Sequence, residues 1–539
     1  MYVADPAAAL SNDSARAAFV AAMQTPAPYA ALHEVREPIR CVETHVSWVF
    51  LTGSYAYKVK KPVRLPFLDY STAERREWLC REELRLNRRH APELYLETVP
   101  IGGRPDTPWV GTQGTAFEHA LRMRQFDRDE ELSQLLRRAA VAPAELAEFA
   151  ANLASMHSRA APADVDTSFG APDLVHRITR DNCHELGEWL PSTIARRDLD
   201  ALRTSLDRTY ERLHPRMLER RGSGRVREGH GDLHCGNVVR WRGRLVAFDG
   251  LEFDPALRFI DVANDLAFLS MDLAVHGRAD LRRVVLDRWT ESSGDYDAVE
   301  LLPYYEPARA LVRAKVAALQ SRQTDRAAAG ASGRLATEYF DWAHARAHRS
   351  APMLVVMVGL SGSGKTWLAR QIADAIGALH VRSDVERKRL AGLAPTESSR
   401  SAPDAGIYTP AFTERTYSRL LDCALACLRG GEHVVVDAAN LRRREREAFL
   451  QSAAAARARA RIVHCTAPPE VLRERVAERG AEGSDASEAT IDVLERQPSY
   501  WEPFTDTELV LCEAVDTTQP AQIGAALERL SLVARRDPP

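Results

Sequence analysis

The chain of 539 residues lacks three things: paired cysteines, a net charge of either sign and a long apolar run. Each absence removes a class of protein. The eight cysteines (Cys41, Cys80, Cys183, Cys235, Cys423, Cys427, Cys465, Cys512) contain no CxxC pair and face no histidine ladder, so neither structural zinc nor a disulfide framework is expected. Cys423 and Cys427, four apart in a helical pattern, read as two buried helix residues. With 72 Lys+Arg against 75 Asp+Glu the formal charge is −3, which provides no overall basic field to gather nucleic acid. The longest apolar stretch, Met353–Leu360, falls far short of the ~20 residues that span a bilayer. Asp5, Asp13 and Arg16 among the first alanines do not suit a signal peptide. A cytoplasmic protein is expected, with neither membrane nor nucleic acid as partner. What is present is ordinary globular material, 45% hydrophobic and 27% charged, in a length that holds roughly three or four domains at ~150 residues each.

The pattern of the chain changes twice. Up to about residue 125 it reads as strands with one charged helix: Ser47–Thr52 and Tyr55–Lys60 around a Gly-Ser turn, then a helix from Ser71 to about His90. From Ala144 helices dominate. After Pro352 short apolar runs alternate with helices, as in a parallel sheet. The expected organisation is a first domain over 1–335 (small lobe about 40–125, large helical lobe about 126–322), a linker over 336–351, and a second domain over 352–539.

Gly359-Leu360-Ser361-Gly362-Ser363-Gly364-Lys365-Thr366 fits G-x-x-x-x-G-K-[ST] at every fixed position, after a strand (Leu354–Val358) and at the start of a helix. Glycines let successive N–H groups turn inward around a phosphate, the lysine adds a point charge, and the Thr366 hydroxyl can ligate Mg²⁺. Two acids follow at strand ends. Asp437 closes the run Val434-Val-Val and suits metal holding, while Asp384 in Arg382-Ser383-Asp384 can accept the proton of an acceptor hydroxyl, or can cap the next helix, as can Ser383. Arg473, Arg475 and Arg479 lie on a helix that can close over phosphates. These motifs resemble the small P-loop kinases of the gluconate-kinase and zeta-toxin type, over about a third of the chain. The resemblance implies ATP-dependent phosphorylation of a small-molecule hydroxyl, with Asp384 as base and Arg475 and Arg479 on the nucleotide.

In the first domain, His230-Gly-Asp232-Leu-His-Cys-Gly-Asn237 is followed by a strand ending in Asp249. Asp232 would orient and deprotonate an acceptor hydroxyl, with Asn237 and Asp249 holding Mg²⁺. Two strands, Val238–Trp241 and Leu245–Phe248, joined by Arg-Gly, would bring both ligands to one end. Asp261 and Asp265 read as loop-bracing. The run resembles that of aminoglycoside phosphotransferases and related eukaryotic-like small-molecule kinases, over roughly 40–320. That resemblance implies a strand lysine on the α/β-phosphates held by a helix glutamate. Lys58 and Lys60 share one strand face, with Lys58 the favoured one, and the partner is Glu83 or its neighbour Glu82. No G-x-G-x-x-G precedes the lysine; Thr52-Gly-Ser-Tyr55 stands there.

Taken whole, the chain resembles bacterial fusions of these two kinds of domain. The expected fold class is a two-lobed α+β protein-kinase-like domain followed by an α/β P-loop NTPase domain with a parallel sheet. The expected cofactors are ATP and Mg²⁺, and the expected partner is a small-molecule phosphoryl acceptor. Arg309 and Arg313, i and i+4 on a helix, favour a neutral or anionic acceptor such as a sugar, sugar phosphate or nucleoside. Two other readings stay open. One half can be read as a nucleotide-binding regulator of the other, and the basic run Arg442-Arg-Arg-Glu-Arg446 as the strand track of a nucleic-acid 5′-end kinase.

Overall fold

The computed structural model describes residues 10, 12–65, 68–111, 114–189, 194–323, 326–347, 351–401, 405–482 and 486–535. Contacts group them into two compact units, one formed by Met1–Phe149, Met156–Leu174 and Leu218–Asp265, the other by Ala150–Ser155, Val175–Met217 and Leu266–Pro539. Among the described residues no helix is long and apolar enough to cross a membrane.

The first unit is built on a six-stranded antiparallel sheet in the order Arg40–Glu43, Ser47–Leu51, Tyr55–Lys60, Ala116–Arg124, Tyr95–Arg104, Thr107–Val110. Strand alternation sorts its residues. Tyr57 and Val59 enter an aromatic core with Trp48, Phe50, Ile101 and Phe117, sealed by Phe19 and Met23 of the helix Asp13–Met23. Each fully buried large side chain there contributes roughly 2–3 kcal/mol. Ala56, Lys58 and Lys60 therefore face the other way, where Ala56 packs with Leu94, Tyr95, Leu121 and Val239. The helix Ala73–Asn87 starts where the Thr72 hydroxyl accepts the Arg75 N–H at 3.3 Å, and buries Leu79, Glu83 and Leu86. Further on, the antiparallel pair Val238–Trp241 and Arg244–Ala247 turns through Arg242 (φ 50°) and Gly243 (φ 79°). Two successive positive φ values define the turn that matches strand twist, which is why a short Arg-Gly linker suffices.

The second unit contains a five-stranded parallel sheet in the order Leu379–Arg382, Val434–Asp437, Met353–Val358, Arg459–Thr466, Cys512–Asp516. All six residues of the central strand Met353–Val358 are buried, as expected where helices cover both faces. Leu368, Ile372 and Ile376 from the helix Lys365–Ile376, with Ile523, Ala526 and Leu530 from Pro520–Arg535, fill one side. Cys423 and Cys427 are buried in the helix Pro410–Arg429, as their spacing suggests, and all eight cysteines are free thiols.

The same unit includes the helices Val175–Met217 pass through and those from Leu266 onward, and here the expected linker differs from what is found. Residues Arg326–Ala347 form one helix against Leu302–Gln323, burying Ala336, Tyr339, Phe340 and Ala343. Arg346 of this helix joins a buried quartet. It binds Glu306 (2.7 Å) and Glu432 (2.9 Å), and Arg282 binds the same two carboxylates (2.8 Å each). The quartet thus joins Arg282 and Glu306 of the expected first domain, Arg346 of the expected linker and Glu432 of the expected second domain within one unit.

Candidate active sites

In the first unit the structure resolves the choice between neighbouring lysines and glutamates. Glu83 is fully buried and accepts from both Lys58 (2.8 Å) and Lys60 (2.7 Å). Glu82 points elsewhere, to Arg85 and Arg258, each at 2.7 Å. The lysines are not equivalent. Lys58 also reaches Asp249, whereas Lys60 is 1% exposed and closed in by Glu252 and Tyr70. Burial would raise the Glu83 carboxyl, but the two ammonium groups outweigh it and hold the pKa at about 2. Burial likewise opposes the Lys58 charge, and Asp249 and Glu83 more than restore it, so the lysine stays protonated.

Asp232 and Asn237 meet through Asn237 Nδ2, which donates to the Asp232 carbonyl (2.9 Å) and to Asp232 Oδ2 (3.1 Å). The short helix Cys235–Asn237 and the hairpin behind it set this spacing. Asp249 sits at φ 61° with its side chain 41% exposed. Its N–H donates to the Tyr95 hydroxyl (2.9 Å) and that of Gly250 to Asn87 Oδ1 (2.8 Å), which holds this left-handed turn. Asp265 braces the loop as expected, accepting the His230 and Gly231 N–H groups (2.8 and 3.0 Å) and facing His157 Nε2 at 3.1 Å. Asp261 forms a bidentate pair with Arg220. Tyr95 and Asn87 carry no motif, and sequence reasoning missed both.

In the second unit Gly359, Gly362 and Gly364 occupy positive φ (152°, 80° and 79°). A Cβ on Gly362 would lie 2.5 Å from the Leu472 carbonyl oxygen, and one on Gly359 2.5 Å from that of Cys465. The loop is therefore a tight cradle that side chains would fill. Inside it the Ser363 hydroxyl is buried without a hydrogen-bond partner, and Lys365 Nζ donates to the Leu360 carbonyl (2.8 Å). Thr366 is half-buried in the first helical turn. Desolvation draws the Lys365 pKa down, and the acids opposing that effect include Asp437 and Asp384, with Arg479 adding like charge. These expected partners thus share one electrostatic neighbourhood. Asp437 is buried and 3.2 Å from His380 Nε2. Burial pushes its pKa up, but that hydrogen bond with the charges of His380, Lys365 and Arg382 brings it to about 2, so it is an ionised acid at neutral pH. Asp384 lies in the first turn of Ser383–Leu390, whose N-cap is Arg382, so neither Asp384 nor Ser383 caps that helix.

Arg475 and Arg479 are half-buried while Arg473 faces solvent beside Glu495 (3.7 Å). Arg475 donates to Thr517 Oγ1 (2.9 Å) and the Gly362 carbonyl (3.3 Å), and Thr517 donates to the Ser363 carbonyl (2.9 Å). Thr517 just after the last strand, which meets the loop, Gln497, which accepts the Ser361 N–H at 2.7 Å, and His380, which meets Asp437, were also missed, because only the folded chain brings these residues together. Arg309 and Arg313 are not presented as an open basic face. Their guanidinium groups lie over the rings of Phe268 (4.9 Å) and Tyr339 (5.6 Å). The buried Glu306 pairs with Arg282 and Arg346 instead of bridging them.

The folds define a chain with an α+β part on an antiparallel sheet and an α/β part whose parallel sheet carries the glycine-rich loop. Residues 354–504 match the AAA domain family. The uncharacterized protein Rv2004c of Mycobacterium tuberculosis (strain ATCC 25618 / H37Rv) is 28% identical over 463 residues, covering 85% of this chain and 90% of the relative, and the uncharacterized protein Mb2027c of Mycobacterium bovis matches to the same extent. Among solved structures, a gluconokinase from Sinorhizobium meliloti 1021 matches 34% of this chain and 97% of its own at 24% identity and a TM-score of 0.25. A choline/ethanolamine kinase family protein from Mesorhizobium loti matches 62% of this chain and 98% of its own at 12% identity and a TM-score of 0.35.

Proposed function

We propose that the chain is a two-site, ATP-dependent phosphotransferase acting on hydroxyl groups of small molecules, with one site in each unit. The observation that carries the reading is the doubled constellation: Lys58–Glu83 with Asp249, Asp232 and Asn237 in one unit, and the glycine cradle with Lys365, Asp437 and Asp384 in the other. The residues fit ATP and Mg²⁺. The cradle has no room for a Cβ at Gly359 or Gly362 and the buried Ser363 hydroxyl lacks a partner, while Asp437 is ionised. Asn237 and Asp249 would hold the metal in the first site, Thr366 and Asp437 in the second. Bound there, Mg²⁺ would neutralise charge on the phosphates. Lys58, fixed by Glu83, and Lys365 supply fixed positive charge, with Arg475 and Arg479 poised on the second site. Asp232 and Asp384 orient the acceptor hydroxyl and take its proton.

The acceptor is read as a hydroxyl-bearing metabolite, of sugar, sugar phosphate or nucleoside type, in a cytoplasmic setting. Arg309 and Arg313, laid on aromatic rings, no longer support assigning it a charge. Nucleic acid is not expected as acceptor: Arg446 of the basic run is fully buried and bound to Glu508 at 2.6 Å, so the run offers no continuous cationic track. A second reading has one observation in its favour. The Thr52–Tyr55 turn, where the Gly53 N–H is taken by Gln125 Oε1 at 2.8 Å, replaces a glycine-rich phosphate cover, which would suit a first unit that binds nucleotide to regulate the second. Incubating a metabolite pool with ATP and reading phosphorylated products by mass spectrometry separates the two. Asp232→Asn and Lys365→Ala in the full chain are expected to remove different products. Unchanged products with Asp232→Asn would leave the first unit as a regulator.

A further inference from the structure

The strand Leu379–Arg382 stands at the edge of the parallel sheet, and its N–H groups point alternately inward and outward. Leu379 donates inward, to the His433 carbonyl at 2.8 Å. His380 donates outward, and the acceptor is Asp287 Oδ1 at 2.7 Å, on the helix Ala279–Ser293. The ring of the same His380 reaches Asp437 Oδ2 at 3.2 Å. The next helix, Ser383–Leu390, is fastened to the same neighbour: Arg389 donates to the Glu291 and Ser292 carbonyls and Arg419 to that of Gly294, while buried Glu386 holds both arginines (3.1 and 2.9 Å). The helix Ala279–Ser293 and the Gly294 that ends it therefore fix both the strand that carries His380 and the helix that carries Asp384.

We propose that Asp287, together with His380, is a positioning pair for the P-loop site: Asp287 fixes the edge strand through the His380 N–H, and the His380 ring sets the orientation of the Asp437 carboxylate toward Mg²⁺. This rests on the reading of Asp437 as a metal-holding acid. A hydrogen bond behind a metal ligand typically changes metal affinity by about 10–100-fold, so the pair acts on magnesium dependence before anything else. A side chain outside the P-loop domain as read from sequence then belongs to that domain's site.

The test uses the full chain in an Asp249→Ala background, which removes a metal ligand from the first site, and follows a fluorescent ATP analogue as magnesium is titrated. Lys365→Ala identifies the signal due to the P-loop. Asp287→Ala and His380→Ala are each expected to raise the half-saturating magnesium concentration about tenfold, with metal-free nucleotide binding changed less than about threefold. Asp287→Asn, which keeps an acceptor oxygen, is expected to restore the parent titration, and the Asp287→Ala/His380→Ala double variant to be no worse than His380→Ala alone. A magnesium midpoint unmoved by Asp287→Ala, an Asp287→Asn variant as impaired as Asp287→Ala, or additive effects in the double variant would overturn the positioning role alone. A parent with no Lys365-dependent, magnesium-sensitive binding would overturn the kinase reading of this half as well. Equal loss of metal-free binding in all variants would assign Asp287 to general folding and overturn the proposal.

Discussion

Glu83 carries two lysines on one buried carboxylate, and the consequences differ for each lysine. Removing Lys58 takes away the ammonium that also meets Asp249, so Lys58→Ala is expected to cut turnover at the first site by about 10² or more, read as loss of the Asp232-dependent product. Removing Lys60 acts on stability. Lys60→Met leaves buried Glu252 without its ammonium and Glu83 with one ammonium partner in place of two, a class of change that costs about 3–5 kcal/mol in a denaturation experiment. The same carboxylate sets an acid limit. Its pKa falls from 4.5 to about 2 on folding, so the stability it contributes is present in full above about pH 4.5 and is lost as pH falls toward 2. Denaturation midpoints of the parent should drop through that window, and Glu83→Gln should flatten the slope there while lowering stability at neutral pH. Much of this was legible in the sequence: strand alternation put Lys58 and Lys60 on one face. The choice between Glu82 and Glu83 was not, because adjacent helix residues differ by only about 100° and the sequence does not fix the helix's rotation.

At the scale of elements, the phosphate loop illustrates how much local chemistry a short motif determines. Gly362 is held against the Leu472 carbonyl, so Gly362→Ala must displace either the loop or the arginine-bearing helix Pro469–Glu482. Nucleotide affinity at that site is expected to fall by at least about tenfold, as measured by titration with the ATP analogue. Strand, loop and helix were all readable, since one unbroken segment contains them. The hairpin was readable too, with its second strand at Arg244–Ala247, one residue earlier than Leu245–Phe248. What failed were judgements that depend on what lies across an element. The i, i+4 spacing of Arg309 and Arg313 is real, but their face meets Phe268 and Tyr339. The helix bearing Tyr339 is the one that takes up most of the expected linker 336–351. His380 escaped notice for the same reason, since its link to Asp437 crosses from one strand to the next.

Over the whole molecule, composition already argued for multiple cores and against a membrane or a polybasic binder, but it placed the boundary by chemistry alone. The quartet Arg282, Glu306, Arg346 and Glu432 lies across that boundary and is almost fully buried. Glu432→Ala leaves two buried guanidinium groups sharing one carboxylate, and a loss of about 3–5 kcal/mol is expected in the unfolding of this unit. A fragment of residues 352–539 lacks the other three members and is expected to unfold at lower temperature than the same segment within the full chain, as followed by limited proteolysis on heating. The strand Leu379–Arg382 adds a consequence of its own. In such a fragment its outward N–H row loses the carboxylate of Asp287 and becomes a ready template for another chain. Two trimmed molecules laying these strands side by side would share one continuous sheet, so cutting the halves apart should create self-association in proportion to concentration where the intact chain has none at that edge.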